Sequence, residues 1–184
     1  MSDQCISIVL PVYNEADNIR PCLERLWDAL RDHEHEILIC YDFDEDTTLP
    51  AIANMEAKPP TIRFIKNDLG PSVAYAIQAG FRAARGDVIV TTMADLSDPP
   101  EVIVCMVEKR RQEGAAVVSG SRYMRGGSQT GGPYVKRLLS RFAGLSLYWV
   151  AGLQTHDATT NFRAYSRDFL SQMRIESRHL RERQ

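Results

Sequence analysis

The sequence predicts an α/β fold built on a mostly parallel, doubly wound sheet with helices on both faces. Two observations lead there. Short, continuous apolar runs alternate along the chain with longer stretches whose apolar residues keep helical spacing. The runs are also apolar throughout rather than every second residue, as in strands buried on both faces. Crossovers between such strands are right-handed, so the strands' C-terminal ends share one edge of the sheet.

The elements follow in order. Ile6 to Leu10 is the first strand, ended by Pro11. Asp17 is placed to cap a helix carrying Ile19, Leu23, Leu26, Trp27 and Leu30 on one face. Glu36 to Tyr41 is the second strand and Thr47 to Met55 the second helix. Ile62 to Lys66 is the third strand, followed by an alanine-rich helix from Pro71 to Arg85. Asp87 to Thr92 is the fourth strand, and Pro99 to Glu113 a helix with proline near its first turn. Ala115 to Ser119 is the fifth strand.

The pattern changes after Ser121. Met124 to Pro133 is a glycine-rich loop, Tyr134 to Leu153 a long helix, and Arg163 to Met173 one last short element. Arg174 to Gln184 is a highly charged tail with little to pack, expected to fray. Residues 1–173 are read as one domain, with a first part over 1–121 and a second over 122–173.

Composition narrows the function classes. At 184 residues the chain suits one domain with a real core. Its net charge of −2 gives no basis for a nucleic-acid partner. Cys5, Cys22, Cys40 and Cys105 are far apart with no CxxC pair, which reads as buried, reduced thiols in a cytosolic protein. The opening apolar run has no basic segment before it, so no signal peptide is expected. The longest apolar stretch, from Leu145 to Leu153, is well short of the roughly 20 residues of a membrane span.

If the strand ends share an edge, Tyr13 to Glu15, Asp42 to Asp46 and Asp95 to Asp98 converge there, where an open α/β sheet binds its ligand. After the first strand, Tyr13 can stack on or bond a base or ribose, and Glu15 can accept from a ribose hydroxyl. A plain strand-to-helix turn, with Asn14 as its turn residue, fits the same spacing. After the second strand stand four acids in five residues, Asp42-Phe43-Asp44-Glu45-Asp46. Such a group is costly without cations or donors. Asp42 suits a base or ribose contact, and Asp46 suits a helix cap.

After the fourth strand, Asp95 offers a carboxylate oxygen to a hard divalent cation. Ser97 and Asp98 stand beside it, and water and phosphate can complete the shell. Asp98, just before Pro99-Pro100-Glu101, also suits a helix cap. Other motifs are ruled out. An EF-hand fails because Thr47 replaces its glycine and Ala53 its bidentate glutamate. Gly126 and Gly131 have Walker spacing, but Gly132-Pro133 stands where Lys-Ser/Thr belongs. No GxGxxG follows the first strand, which argues against a dinucleotide cofactor. Lys136, Arg137 and Arg141 precede the apolar and aromatic run Phe142 to Val150; a membrane interface and a core helix with a basic outer face both fit.

With these residues in hand, the chain resembles a family 2 glycosyltransferase of GT-A fold, similar to the polyprenyl- and dolichyl-phosphate sugar synthases. The resemblance rests on Ile8-Val9-Leu10-Pro11-Val12-Tyr13-Asn14-Glu15-Ala16-Asp17-Asn18-Ile19, on Gly120-Ser121-Arg122-Tyr123 and on Asp157-Ala158-Thr159-Thr160-Asn161-Phe162-Arg163. It implies that Pro11, Tyr13, Glu15 and Asp42 line a nucleotide pocket and that Asp95 belongs to the metal motif, for Mg²⁺ or Mn²⁺. It implies that Arg122, Lys136 and Ser140 meet the donor's diphosphate and the lipid phosphate.

The implied reaction is inverting sugar transfer from a nucleotide-diphosphate sugar to a polyprenyl phosphate. The enzyme would be cytoplasmic and peripheral at the inner face of the membrane, with an oligomer compatible. A lipid phosphate is already anionic near neutral pH, so no strong base is needed; a sugar-hydroxyl acceptor would need one, and Asp157 is its candidate. His156 is read as a loop residue.

The chain departs from the family pattern in three places. The family's D-x-D-x-Q reads Met93-Ala94-Asp95-Leu96-Ser97 here, and soft sulfur suits Mg²⁺ poorly. Tyr41 stands where an acid usually precedes Asp42. The chain also stops soon after Arg163, so an incomplete acceptor side is expected. A non-catalytic nucleotide-sugar-binding module is the competing reading; a nucleotidyltransferase lacks its Gly-rich phosphate loop near the N-terminus.

Overall fold

Side chains alternate across the first two strands, and that alternation builds two cores. The computed structural model describes residues 5–55, 61–120 and 160–173. In β1 (Ile6–Pro11), Ile6, Ile8 and Leu10 join one buried cluster while Val9 joins the other. In β2 (His35–Tyr41), Ile37 and Ile39 go with the first, Leu38 and Cys40 with the second. Both strands are buried on both faces, in keeping with their largely apolar runs.

The larger cluster is covered by α1 (Ala16–Ala29), α2 (Thr48–Ala53) and α4 (Glu101–Glu113). The smaller one lies under α3 (Val73–Ala83). Gly80 lets α3 lie close to the sheet: a Cβ there would collide with Val9 Cγ1 and come within 2.8 Å of Cys40 Sγ. At the end of α4, Gly114 takes a left-handed conformation (φ 63°), as a helix-terminating glycine does.

The remaining strands are β3 (Ile62–Lys66), β4 (Val88–Thr91), β5 (Val117–Ser119) and β6 (Arg163–Ser166), in the sheet order β3-β2-β1-β4-β6-β5. β1 pairs in parallel with both β2 and β4, and β2 with β3. The order reverses at β1, so the crevice between β1 and β4 is the switch point where such sheets bind ligands.

Three expectations are corrected. Residues 163–173 form not one element but β6 followed by α5 (Arg167–Gln172). β6 wedges between β4 and β5, antiparallel to both. Four residues with Ala164 and Ser166 turned inward are too few for a period to register. Ser166 also caps α5, its Oγ accepting from Phe169 N at 3.1 Å. At the start of α1, Glu15 rather than Asp17 holds the cap position, without a side-chain cap bond. Its carbonyl accepts from Asn18 N and Ile19 N at 3.1 and 2.9 Å, and Asp17 sits in the first turn, favourable to the dipole. Among the cysteines, Cys22 and Cys40 are buried, Cys5 half-buried and Cys105 exposed, so the thiols are not uniformly buried.

Candidate functional site

Because β1, β2 and β4 run parallel and side by side, the loops that leave their C-terminal ends share one edge. The first two loops are clamped together. Asn14 takes a left-handed conformation (φ 55°), which asparagine tolerates better than most residues. That turn aims its N–H at the Asp46 carboxylate, 3.2 and 3.1 Å from the two oxygens. Asn14 Oδ1 accepts from Thr47 N at 3.1 Å, and Glu15 N donates to Thr48 Oγ1 at 2.9 Å. Asp46 also accepts from Thr48 N at 2.8 Å and is fully buried. Asn14 is therefore more than a turn residue. Asp46 does not hold the cap position of α2, which falls on Thr47 with no side-chain cap bond; it clamps the two loops instead.

Three of the four acids after β2 thus find donors inside the fold. Asp46 takes the two backbone N–H groups. Asp44 pairs with Lys66 at 2.5 Å, a contact that raises the lysine pKa. Asp42 Oδ1 accepts from Asn67 Nδ2 at 2.7 Å. Glu45 is exposed. Only Asp42 combines partial burial with a place beside the aromatic pair Tyr13 and Phe43, whose ring centroids are 5.5 Å apart in an edge-to-face contact. Tyr13 is 66% exposed, a large ring left uncovered. Pro11 is buried at the end of β1, where it pairs in register with Cys40. Glu15 is half-buried and accepts from Asn18 Nδ2 at 2.8 Å.

The third loop turns sharply. Leu96 has φ 62°, a strained conformation for a bulky residue that costs about 1–2 kcal/mol. Bonds on either side enforce it. Asp95 Oδ1 accepts from Ser97 N at 3.0 Å. Asp98 Oδ2 accepts from Thr92 Oγ1 and Met93 N, both at 3.1 Å. Asp98 therefore ties the loop back to the end of β4. It is not the cap of α4: that position falls on Pro100, with no side-chain cap bond. Asp95 and Ser97 are exposed.

Carboxylates from the loops after β1 and β4 both lie near enough to Cys22 of α1 for its thiol to feel them. Burial pushes the Cys22 thiol up to about 12; Arg25 opposes the shift, and the nearby Asp95, Asp98 and Glu15 carboxylates add to it. Asp95 is an exposed hard oxygen donor, the kind Mg²⁺ or Mn²⁺ takes. Among the described residues no three His, Cys, Asp or Glu side chains gather into a cation site of their own. One carboxylate fits a cation that draws its other ligands from phosphate and water.

Against known proteins, the pattern that defines glycosyl transferase family 2 matches residues 7–174. The chain belongs to that family. A dolichol-phosphate mannosyltransferase of Pyrococcus furiosus is 33% identical over 138 residues, covering 75% of this chain and 39% of that protein. An undecaprenyl-phosphate 4-deoxy-4-formamido-L-arabinose transferase of Pseudomonas fluorescens is 32% identical over 174 residues, covering 92% of this chain and 49% of its own length. This chain spans half or less of the length of these family 2 relatives.

Among solved structures, glucosyl-3-phosphoglycerate synthase of Mycobacterium tuberculosis, in complex with Mn²⁺, UDP-glucose and phosphoglyceric acid, superposes with TM-score 0.64. It is 23% identical, covering 90% of this chain and 57% of that one. Mannosyl-3-phosphoglycerate synthase of Rubrobacter xylanophilus gives TM-score 0.65 at 18% identity, with 90% and 54% covered. The fold is the GT-A type, as the sequence resemblance implies.

Of the expected site residues, Pro11, Tyr13, Glu15, Asp42, Asp95, Ser97 and Asp98 lie at the one edge. Arg122, Lys136, Ser140 and Asp157 lie outside the described residues, as do the glycine-rich loop, the long helix of 134–153 and the charged tail. Sequence reasoning missed Asn67, which is buried behind Asp42, and the Asn14–Asp46 clamp. An Asn directly after a strand and before a turn was the only available signal for Asn67. No helix among the described residues is long and apolar enough to cross a membrane.

Proposed function

We propose that this chain carries the donor-binding and catalytic face of an inverting glycosyltransferase. It moves a sugar from a nucleotide-diphosphate sugar to a polyprenyl phosphate at the inner face of the membrane. The observation that carries the proposal is the convergence of Tyr13, Glu15, Asp42 and Asp95 at the switch-point edge of a family 2 sheet. The polyprenyl-phosphate transferases among its relatives support the acceptor.

Tyr13 and Asp42 hold the base, Glu15 the ribose, and Pro11 shapes the pocket floor. Asp95 would hold a Mg²⁺ or Mn²⁺, with Ser97 and Asp98 beside it, and the Mn²⁺ bound in the mycobacterial neighbour supports this choice. When bound, the cation supplies Lewis-acid relief of charge on the departing diphosphate. Arg122 and Lys136 spread the same charge, and Ser140 meets the lipid phosphate. The acceptor oxygen is anionic near neutral pH, since a phosphate's second pKa is about 6, so no strong base is required. Asp157 serves as base only if the acceptor is a sugar hydroxyl. Residues 1–121 bind the nucleotide and 122–173 form the acceptor side.

One observation favours a second reading. Met93, at the first position of the metal motif, brings no hard ligand. A nucleotide-sugar-binding module without turnover would follow. Transfer of labelled sugar from a panel of UDP- and GDP-sugars to undecaprenyl or dolichyl phosphate, with Mn²⁺, tests the main reading. Transfer should occur, and Asp95→Ala should abolish it together with Mn²⁺-dependent nucleotide binding while the protein stays folded, the lost Ser97 turn bond costing about 1 kcal/mol. Tight nucleotide binding with no transfer to any acceptor would favour the module.

A further inference from the structure

Asp42 is held from behind. Asn67, 6% exposed, follows the end of β3, and its backbone N donates to Tyr41 O at 2.8 Å. Its side chain is committed on both ends. Nδ2 donates to Asp42 Oδ1 and to Gly70 O, each at 2.7 Å, while Oδ1 accepts from Leu69 N at 2.9 Å. That pattern admits only one orientation of the amide, because a flip would set two oxygens against each other and two donors together. Asn67 therefore presents a donor to Asp42 and pins one carboxylate oxygen.

What lies beside Asp42 indicates what its carboxylate reads. Phe43 follows it directly and meets Tyr13 edge to face, with Tyr13 largely uncovered. Aromatic rings beside a pinned acceptor suit a planar heterocycle that stacks and offers an N–H along its edge. Uracil, thymine and guanine carry such an imino N–H. Cytosine has a lone pair on N3 instead, which repels a carboxylate aimed at that position; its 4-amino donor lies one position along the edge, out of line with a pinned acceptor.

We infer that Asn67 is a positioning residue that holds the Asp42 carboxylate in one orientation, with its second oxygen aimed at the base, and so selects a nucleotide whose base carries an imino N–H over a cytidine nucleotide. The inference rests on the reading of Asp42 as part of the nucleotide pocket. The selectivity belongs to the pair: Asp42 touches the base, and Asn67 sets the direction in which the free carboxylate oxygen points.

Titration calorimetry of the full 184-residue chain with UDP, GDP and CDP, each with Mn²⁺, tests this. The wild type should bind UDP or GDP at least about tenfold more tightly than CDP, the scale of one charge-assisted hydrogen bond. In Asp42→Asn, with Asn67 intact, the amide oxygen stays on Asn67 and the NH₂ turns to the base. The preference should then move about tenfold toward CDP. In Asn67→Ala the preference should shrink to within about threefold, mostly through weaker UDP or GDP binding.

Loss of affinity for all three nucleotides by one common factor in Asn67→Ala would reduce Asn67 to a structural role and overturn the inference. So would an unchanged order in Asp42→Asn, which decides the matter if Asn67→Ala does not fold. Wild-type protein that binds all three alike keeps the nucleotide pocket and sinks the selection. Wild-type protein that binds none sinks both.

Discussion

Asp46→Ala should be among the most costly single changes near the site, although Asp46 itself touches no substrate in the proposed mechanism. The carboxylate is fully buried and accepts from two backbone N–H groups in different loops, Asn14 N and Thr48 N. Alanine strands both donors. A buried donor left unpaired costs about 1–3 kcal/mol. Thr48 is buried and sits in the upper part of that range; Asn14 is exposed, and water recovers part of its loss. The sum is roughly 2–4 kcal/mol, a large share of the about 5–15 kcal/mol that holds a domain together. At roughly 2–4 °C per kcal/mol for a chain of this size, the Tm should fall by roughly 4–16 °C. Urea unfolding and thermal melts read it directly. Asp46→Asn, which keeps one acceptor oxygen, should lose about half as much. An Asp46→Ala variant within about 0.5 kcal/mol of wild type would refute the clamp.

Three further outcomes follow from the same packing. Burial pushes the Glu36 carboxyl up, but bonds from Ser7, Arg63 and the Arg85 N–H outweigh it and leave the pKa lowered from 4.5. Its contribution is therefore full above the unfolded value and is lost as pH falls through the lower, folded one. Glu36→Gln should flatten that acid limb of the stability profile and cost roughly 1–3 kcal/mol at neutral pH; an unaltered limb in urea titrations would count against the network. Gly80→Ala drives a methyl into Val9 and Cys40 and should cost roughly 1–3 kcal/mol, partly recovered in the Gly80→Ala/Val9→Ala double variant; full additivity of the two would refute the contact. Asp98→Ala frees Thr92 Oγ1 and Met93 N and should relax the Leu96 turn, weakening Mn²⁺-dependent nucleotide binding in calorimetry by about tenfold. Unchanged affinity would mean that the turn holds its shape without Asp98.

The strands and helices of the first 119 residues were legible because each is a local period. Ile6 to Leu10 and Glu36 to Tyr41 are predominantly apolar runs, interrupted only by Ser7 and Glu36, as strands buried on both faces read. Alternation of those runs with helices put β1, β2 and β4 in parallel, and parallel strands deliver Tyr13, Asp42 and Asp95 to one edge. That much the sequence determined alone.

Which acid is free and which is spent was decided only by the tertiary structure. Asp42, Asp44 and Asp46 look equivalent along the chain, yet their donors are Asn67, Lys66 and Asn14, 25, 22 and 32 residues away. Strand register, not local spacing, sets such pairings. Asp98 shows the same limit from the other side: its spacing to Pro99-Pro100-Glu101 suits a cap, but the Leu96 turn swings its carboxylate back to Thr92 and Met93. β6 was hidden because a four-residue strand gains its identity from the neighbours on either side, β4 and β5, and from nothing in its own period.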